Sequence, residues 1–219
     1  MSRLSRRSLL AAGAAALGGG CAATQVFGSQ RVGTLDNLRA IGGVETEVEG
    51  DPQLIQSPFG TAVRFDGVDD ALFIERHPLA GASTFTFEAL FRPDGGAFEQ
   101  RWFHLQQTAP DPGAEPGAMP QSRIMFEIRV LEGGWYLDAF TRGVGHAQAL
   151  MFEDKLHPIG RWAHVAQSYD GRLYRSFVNG VLQGEAEIVF TPQGPGRSSV
   201  GTRINRVNYF NGAVREARF

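Results

Sequence analysis

The sequence predicts an all-β fold, a two-sheet antiparallel sandwich, for most of its 219 residues. Three observations carry this expectation. Apolar and polar residues alternate over short runs, as on a strand with one face in a core. Gly, Pro, Asn and Asp punctuate the chain at the 8–12-residue spacing of sandwich turns. No window keeps apolar residues at helical spacing over three turns.

The runs follow one another in a regular order. Residues 44–49 alternate and stop at Gly50-Asp51-Pro52. Val63 and Phe65 alternate with Ala62 and Arg64 before the turn Asp66-Gly67-Val68-Asp69-Asp70. Leu72-Phe73-Ile74 makes the next strand, and Phe85, Phe87 and Ala89 then alternate with Thr84, Thr86 and Glu88 up to Arg92-Pro93. A strand over 102–107 is followed by a Pro/Gly-rich loop, 109–120, that can hold no regular structure. Ile124, Phe126, Ile128 and Val130 face one way, and Arg123, Met125, Glu127 and Arg129 the other. Glu132-Gly133-Gly134 turns the chain into 135–142, and strands at 162–169, 172–178, 181–190, 198–202 and 213–219 complete the set. Asn179-Gly180 between two such runs is the strongest short hairpin signal available.

Composition agrees with a core-forming chain: 42% of residues are hydrophobic and 20% charged. No stretch reaches the roughly 18 consecutive apolar residues of a membrane-spanning helix. A formal charge of −2 leaves no footprint for nucleic acid.

The first residues follow different rules. Ser5-Arg6-Arg7-Ser8-Leu9-Leu10 precedes an Ala/Gly/Leu run, with no acidic residue before Asp36. A basic start, an apolar stretch and small residues after it form an export signal, assigned to 1–23, and the arginine pair resembles a twin-arginine signal. The single cysteine, Cys21, stands at the cleavage region after Leu17-Gly18-Gly19-Gly20. This resembles a loose lipobox, with Leu17 four residues ahead of the cysteine rather than three, and makes Cys21 a candidate lipidation site; ordinary cleavage nearby fits as well. Removing 1–20 takes Arg3, Arg6 and Arg7 with it and moves the formal charge from −2 to −5. Residues 24–41 read as a flexible tether, and 42–219 as one domain held by packing alone, since one cysteine allows no internal disulfide.

Four pieces in order resemble the laminin-G-like jelly-roll family of concanavalin A-like lectins and glucanases. They are 60–70 (Gly-Thr-Ala-Val-Arg-Phe-Asp-Gly-Val-Asp-Asp), 85–93 (Phe-Thr-Phe-Glu-Ala-Leu-Phe-Arg-Pro), 162–171 (Trp-Ala-His-Val-Ala-Gln-Ser-Tyr-Asp-Gly) with 177–180 (Phe-Val-Asn-Gly), and Ser199-Val200-Gly201 with 210–219. The resemblance implies a two-sheet antiparallel jelly-roll sandwich whose last strand pairs beside the first, tying both ends together. It predicts fold better than activity.

The candidate sites follow from the same reading. Retaining glucanases of this fold place two carboxylates about 5–5.5 Å apart on one strand face. The only comparable spacing, Glu45, Glu47 and Glu49, lacks the central Asp and reads as a solvated face. Arg123, Glu127 and Arg129 form an alternating-sign row suited either to a sugar or uronic acid, or to cross-strand ion pairs with Glu88 and Asp138. Trp102, His104 and Gln106 are expected to share one face, an aromatic platform with hydrogen-bonding groups. His164 reads as a structural histidine, and His146 and His157 lie near loops without metal-ligand spacing. Asp66, Asp69 and Asp70 offer three hard oxygens for Ca²⁺, or plain turn chemistry. The expectation is an exported, non-catalytic module that binds a glycan or a cell-envelope protein and touches membrane only through a lipid on Cys21. The alternative is a polysaccharide hydrolase or lyase using Glu127 with its flanking arginines.

Overall fold

The computed structural model describes residues 31–219, with side chains from Leu35 onward; the export signal and Cys21 lie outside the described residues. The strands are β1 (Arg31–Thr34), β2 (Ala40–Ile41), β3 (Val44–Glu49), β4 (Gln53–Ser57), β5 (Gly60–Asp66), β6 (Ala71–Ile74), β7 (Phe85–Pro93) and β8 (Glu99–Gln107). The second half adds β9 (Arg123–Leu131), β10 (Gly134–Gly143), β11 (His146–Met151), β12 (Ala163–Tyr169), β13 (Leu173–Val178), β14 (Val181–Glu187), β15 (Gly196–Val200) and β16 (Asn211–Arg218).

They form the two antiparallel sheets of a sandwich. The first runs β14-β13-β12-β7-β16-β5-β4, and the second β11-β10-β9-β8-β15-β6-β3-β2. The end-to-end tie is present in a modified form. β16 pairs with β5 over Asn211–Val214 and, past an irregularity, with β1 over Glu216–Arg218. The strand beside the C-terminus is therefore Arg31–Thr34, inside the stretch expected as tether. Leu35 and Ile41 are fully buried, so the ordered domain starts well before Gly42. Besides β1 and β2, the sequence reading lacks β4 and β11; β4 is a sheet edge with no fully buried side chain, and β11 an edge that buries only Leu150, so neither requires a clean alternation. The strand expected to reach Phe190 stops at Glu187; Phe190 instead packs its ring against Phe85 and Tyr169. Asn179 and Gly180, at φ 50° and 78°, make the two-residue hairpin between β13 and β14.

Between the sheets lies an aromatic core. Phe91 of β7 stacks on Trp102 of β8 at 4.2 Å between ring centroids, and Trp102 stacks on Phe126 of β9 at 5.2 Å. Phe87 meets Phe103, Phe126 and Phe219 at 4.9, 4.5 and 4.6 Å. One polar tie crosses this layer. Gln167 of β12 donates through Nε2 to the Met125 carbonyl of β9 at 3.0 Å and accepts from the Tyr174 hydroxyl at 2.5 Å. Both side chains are buried and mutually satisfied, so the tie aligns the sheets without leaving an orphaned polar group at that point.

The register of β8 against β9 breaks between Arg101 and Phe103: Arg101 sits opposite Glu127 and Phe103 opposite Phe126, leaving Trp102 as the extra residue of a bulge. Trp102 and Phe103 thus both point into the core. Trp102→Ala is expected to lower unfolding free energy by about 3–5 kcal/mol, because the cavity would open between two rings that cannot collapse together. Guanidinium denaturation measures this; a loss below about 1 kcal/mol would show that the stack does not hold the sheets.

Candidate functional site: the outer face of the second sheet

Because directly opposed residues on neighbouring strands share a face, the registers fix what the outer surface of β15, β8, β9 and β10 presents. One row is Glu99, Arg129 and Tyr136; the next is Arg101, Glu127 and Asp138; a third is Ser199, His104, Met125 and Phe140. The fourth row is Arg197, Gln106, Arg123 and Arg142.

The two rows nearest the Gly133 hairpin close on themselves. Arg101 forms ion pairs with Glu99 and with Glu127, and Arg129 reaches Glu99 and Asp138, each at 2.6 Å. Glu127 and Asp138 face each other and are only 3% and 1% exposed. Burial, then repulsion from Asp138, pushes the Glu127 carboxyl up to about 7 in spite of Arg101. Burial raises Asp138 also, against the pull of Arg129, and its Oδ1 has no hydrogen-bond partner among the described residues. Here two like charges share a dry site and resist joint ionisation.

The fourth row is open. Arg123 donates from Nη1 to the Gln121 carbonyl at 2.9 Å and lies 5.0 Å from the Phe140 ring centroid, but its buried Nε has no partner. Burial, then the neighbouring Arg203 and Arg142, lower its guanidinium to about 10, so it stays charged at neutral pH.

Two loops stand over this row. The first, 108–121, is held by Asp111, which accepts from the Ser122 amide, the Ser122 hydroxyl and Gln107 Nε2 at 3.2, 2.5 and 2.9 Å. Gln106 Nε2 donates to the Pro120 carbonyl at 2.7 Å. The second, 201–210, leaves β15 at Gly201, where φ is 88° and a Cβ would lie 2.4 Å from the Phe65 ring, so only glycine fits. The Ile204 amide then donates to His104 Nδ1 at 3.1 Å, and Arg206 grips Glu49 while lying 4.4 Å from the Phe73 centroid. Between the loops is a cleft of about 510 Å³, lined among others by Gln106, Met119, Gln121, Arg197, Arg203 and Asn205. None of its lining residues is Asp, Glu or His.

The sequence-expected site residues are thereby redistributed. Arg123, Glu127 and Arg129 do share an outward face, but Glu127 and Arg129 are consumed by ion pairs, and Arg123 touches the cleft wall only through its hydrogen bond to the Gln121 carbonyl. Asp138 is a partner of this row as expected; Glu88 is not, because β7 belongs to the first sheet, where Glu88 pairs with His164 at 3.0 Å. Trp102 is no platform, since the bulge turns it into the core. His104 does face outward but lies buried beneath Ile204; burial, then Arg203 and Arg123, hold it well below its usual pKa, so it is neutral. Glu47 and Glu49 sit on an exposed strand face with Arg206 as their counter-ion. The ligand atoms of Asp66, Asp69 and Asp70 lie within 4.8 Å of one another. Asp66 Oδ1 already takes the Val68, Asp69 and Asp70 amides, and both Asp70 oxygens take the amides of Asp51 and Asp66. Turn chemistry therefore engages the carboxylates of Asp66 and Asp70. Glu99, Arg101, Arg142, Arg197 and Arg203 escaped the sequence reading.

No curated protein matches the sequence. Among solved structures, domain 4 of an extracellular arabinanase from Geobacillus stearothermophilus, in complex with arabinotriose, is similar with a TM-score of 0.62 at 13% identity, over 87% of this chain and 91% of that one. The binding domain of botulinum neurotoxin serotype C1 gives 0.58 at 12% identity, over 86% and 48%. A NanB sialidase from Streptococcus pneumoniae gives 0.53 at 16%, over 78% and 25%, so this chain spans less than half of the toxin and sialidase chains. At such identities the likeness speaks for the fold alone. The family profile described as Concanavalin A-like lectin/glucanases superfamily matches residues 66–219, more than two-thirds of the sequence. With the strand order and the matched motifs in agreement, the chain belongs to the concanavalin A-like lectin/glucanase superfamily, in its laminin-G branch.

Proposed function

We propose that this chain is an exported, non-catalytic module that binds carbohydrate in the cleft between loops 108–121 and 201–210. The observation that carries this reading is the lining: amides, guanidinium groups and Met119 can hold hydroxyls and pack a sugar ring, while no carboxylate or imidazole faces the cleft to move a proton. Domain 4 of the arabinanase, solved with arabinotriose, adds a fold-level precedent by analogy. Export rests on Ser5-Arg6-Arg7-Ser8-Leu9-Leu10, with Cys21 as the lipid attachment point or a residue beside the cleavage site. A single open cleft binds weakly and gains from anchoring or multivalency. A glycan array, with titration calorimetry of its hits, is expected to identify an oligosaccharide. Asn205→Trp, which fills the cleft from an exposed position, abolishes that binding with the melting temperature unchanged; undiminished binding would move the site elsewhere.

A second reading, a polysaccharide hydrolase or lyase, draws support from Glu127, whose carboxyl is poised near neutrality opposite Asp138. Its burial under Arg101 argues for a structural origin of that shift. The folded value lies above the ordinary 4.5, so folding takes up a proton; this contribution is complete below the unfolded pKa and is lost as pH rises through about 7. Urea unfolding of the wild type should therefore weaken between pH ~5 and ~7.5, by at most about 1.4 kcal/mol per pH unit for this one group. Glu127→Gln should flatten that slope. Release of new reducing ends or unsaturated sugars by wild type but not by Glu127→Gln would favour the enzyme instead.

A further inference from the structure

The ions of this face do not balance, and the imbalance is ordered in space. Glu99, Glu127 and Asp138 are all committed to Arg101 and Arg129. Beyond them, Arg123, Arg142 and Arg203 form no ion pair among the described residues. Arg197 has only a loose contact with Glu75, at 3.8 Å, its side chain part-exposed and that of Glu75 largely in solvent. Such an exposed pair is worth little and opens readily.

Three of these arginines stand in one line. Arg197 opposes Gln106, Gln106 opposes Arg123, and Arg123 opposes Arg142, so the row crosses β15, β8, β9 and β10 on a single face. Adjacent strands lie about 4.8 Å apart, which makes the row about 14 Å long. Arg203 reaches over it from the loop, close enough to affect the titration of both Arg123 and His104. The chain as a whole is net negative. A row of uncompensated guanidinium groups in such a chain is a local inversion of sign, and like charges held together in a half-buried line cost stability unless an anion neutralises them.

From this geometry we infer that the ligand is an anionic polysaccharide, carboxylated or sulfated, lying across the strands along Arg197, Gln106, Arg123 and Arg142, with Arg203 closing on it. The inference rests on the carbohydrate-binding reading above and specifies its ligand class. Guanidinium forks match carboxylate and sulfate oxygens in pairs, and Gln106 supplies an amide between cations for a hydroxyl. The neutral His104 beneath adds no charge and serves to seat the loop that carries Arg203.

The test uses the purified protein with three probes: polygalacturonate for carboxylate, dextran sulfate for sulfate, and dextran as the neutral control. Calorimetry or affinity electrophoresis is expected to show binding to one or both anionic polymers and none to dextran. Binding should weaken steeply between about 0.05 and about 0.5 M NaCl as the screening length contracts. Arg142→Gln, which removes a side chain with no hydrogen bond of its own among the described residues, should weaken binding about tenfold or more. Arg123→Gln should do the same, while Arg172→Gln, in the turn between β12 and β13 of the first sheet, should change nothing. Salt-insensitive binding of a neutral glycan that Asn205→Trp still blocks would overturn the anionic ligand but leave the carbohydrate module standing. Absence of binding to any glycan, or binding only to anionic lipid vesicles, would overturn both.

Discussion

The bulge at Trp102 is the constraint on which both the core and the outer face depend. Strict alternation backward from Leu105 would place Phe103 inside, Trp102 outside and Arg101 inside. The extra residue changes that: Trp102 joins Phe103 in the core, and Arg101 emerges on the face that carries His104. Either alternative would be costly, since one exposes the largest aromatic of the strand and the other buries a guanidinium among rings. The same residue also starts the roof of the site. The Trp102 carbonyl accepts the Gly201 amide at 2.9 Å, where loop 201–210 leaves its strand, and the Phe210 amide returns to the Gly201 carbonyl at 2.9 Å. The loop is thus closed at its base on the residue that anchors the sheet-to-sheet stack.

With Arg101 outward, the ionic cluster has its centre. Five charged side chains over three strands would be a poor device for stability alone, because packed apolar residues often do as well or better than buried ion pairs. Glu127 and Asp138 make it worse by standing directly opposite one another. What the cluster accomplishes is segregation. The carboxylates that β8, β9 and β10 carry on this face, Glu99, Glu127 and Asp138, are all drawn to its hairpin end, and Arg101 and Arg129 are fixed there with them. At the other end Arg123, Arg142 and Arg203 are left without a carboxylate partner among the described residues and Arg197 with only a loose one, and the face acquires a polarity along the strands that neither its composition nor the net charge of the chain reveals.

The fold was legible because its signals are local and redundant. Asn179-Gly180 sets one hairpin, Phe85 to Phe91 set a face by alternation, and the Asp66 turn is explained by amides that its own carboxylate can reach. The site was legible only in part. The hairpin at Glu132-Gly133 makes Leu131 and Gly134 partners, and counting outward from it places Glu127 beside Asp138 and Arg123 beside Arg142. That much was readable from the turn. The bulge was not: its one-residue slip has no marker in Arg101-Trp102-Phe103-His104, so alternation put Trp102 on the wrong face. Arg197 and Arg203 come from strands and loops remote in sequence, and only the strand order, β15 against β8, brings them to the row. Leu35 and Ile41 lay in a polar stretch too short for a period to register, which is why the domain began earlier than expected.

The division of labour between sheet and loops bears on what kind of recognition such a face can perform. Spacing between Arg197, Arg123 and Arg142 is set by strand spacing and register, which a backbone ladder fixes and side-chain changes scarcely alter. The height and chemistry of the walls are set by 108–121 and 201–210, whose tips, Met119 and Asn205, are exposed. Substitution in the loops would retune which ring or hydroxyl is admitted while the charge spacing below stayed constant. The two loops are nevertheless not independent of the sheet, since Asp111 and His104 pin them to β8 and its neighbour. A ligand meeting this surface therefore encounters a fixed ruler of charge beneath adjustable walls. Affinity would come mainly from the rigid row, at little cost in ordering, and selectivity among similar polymers from the loops above it.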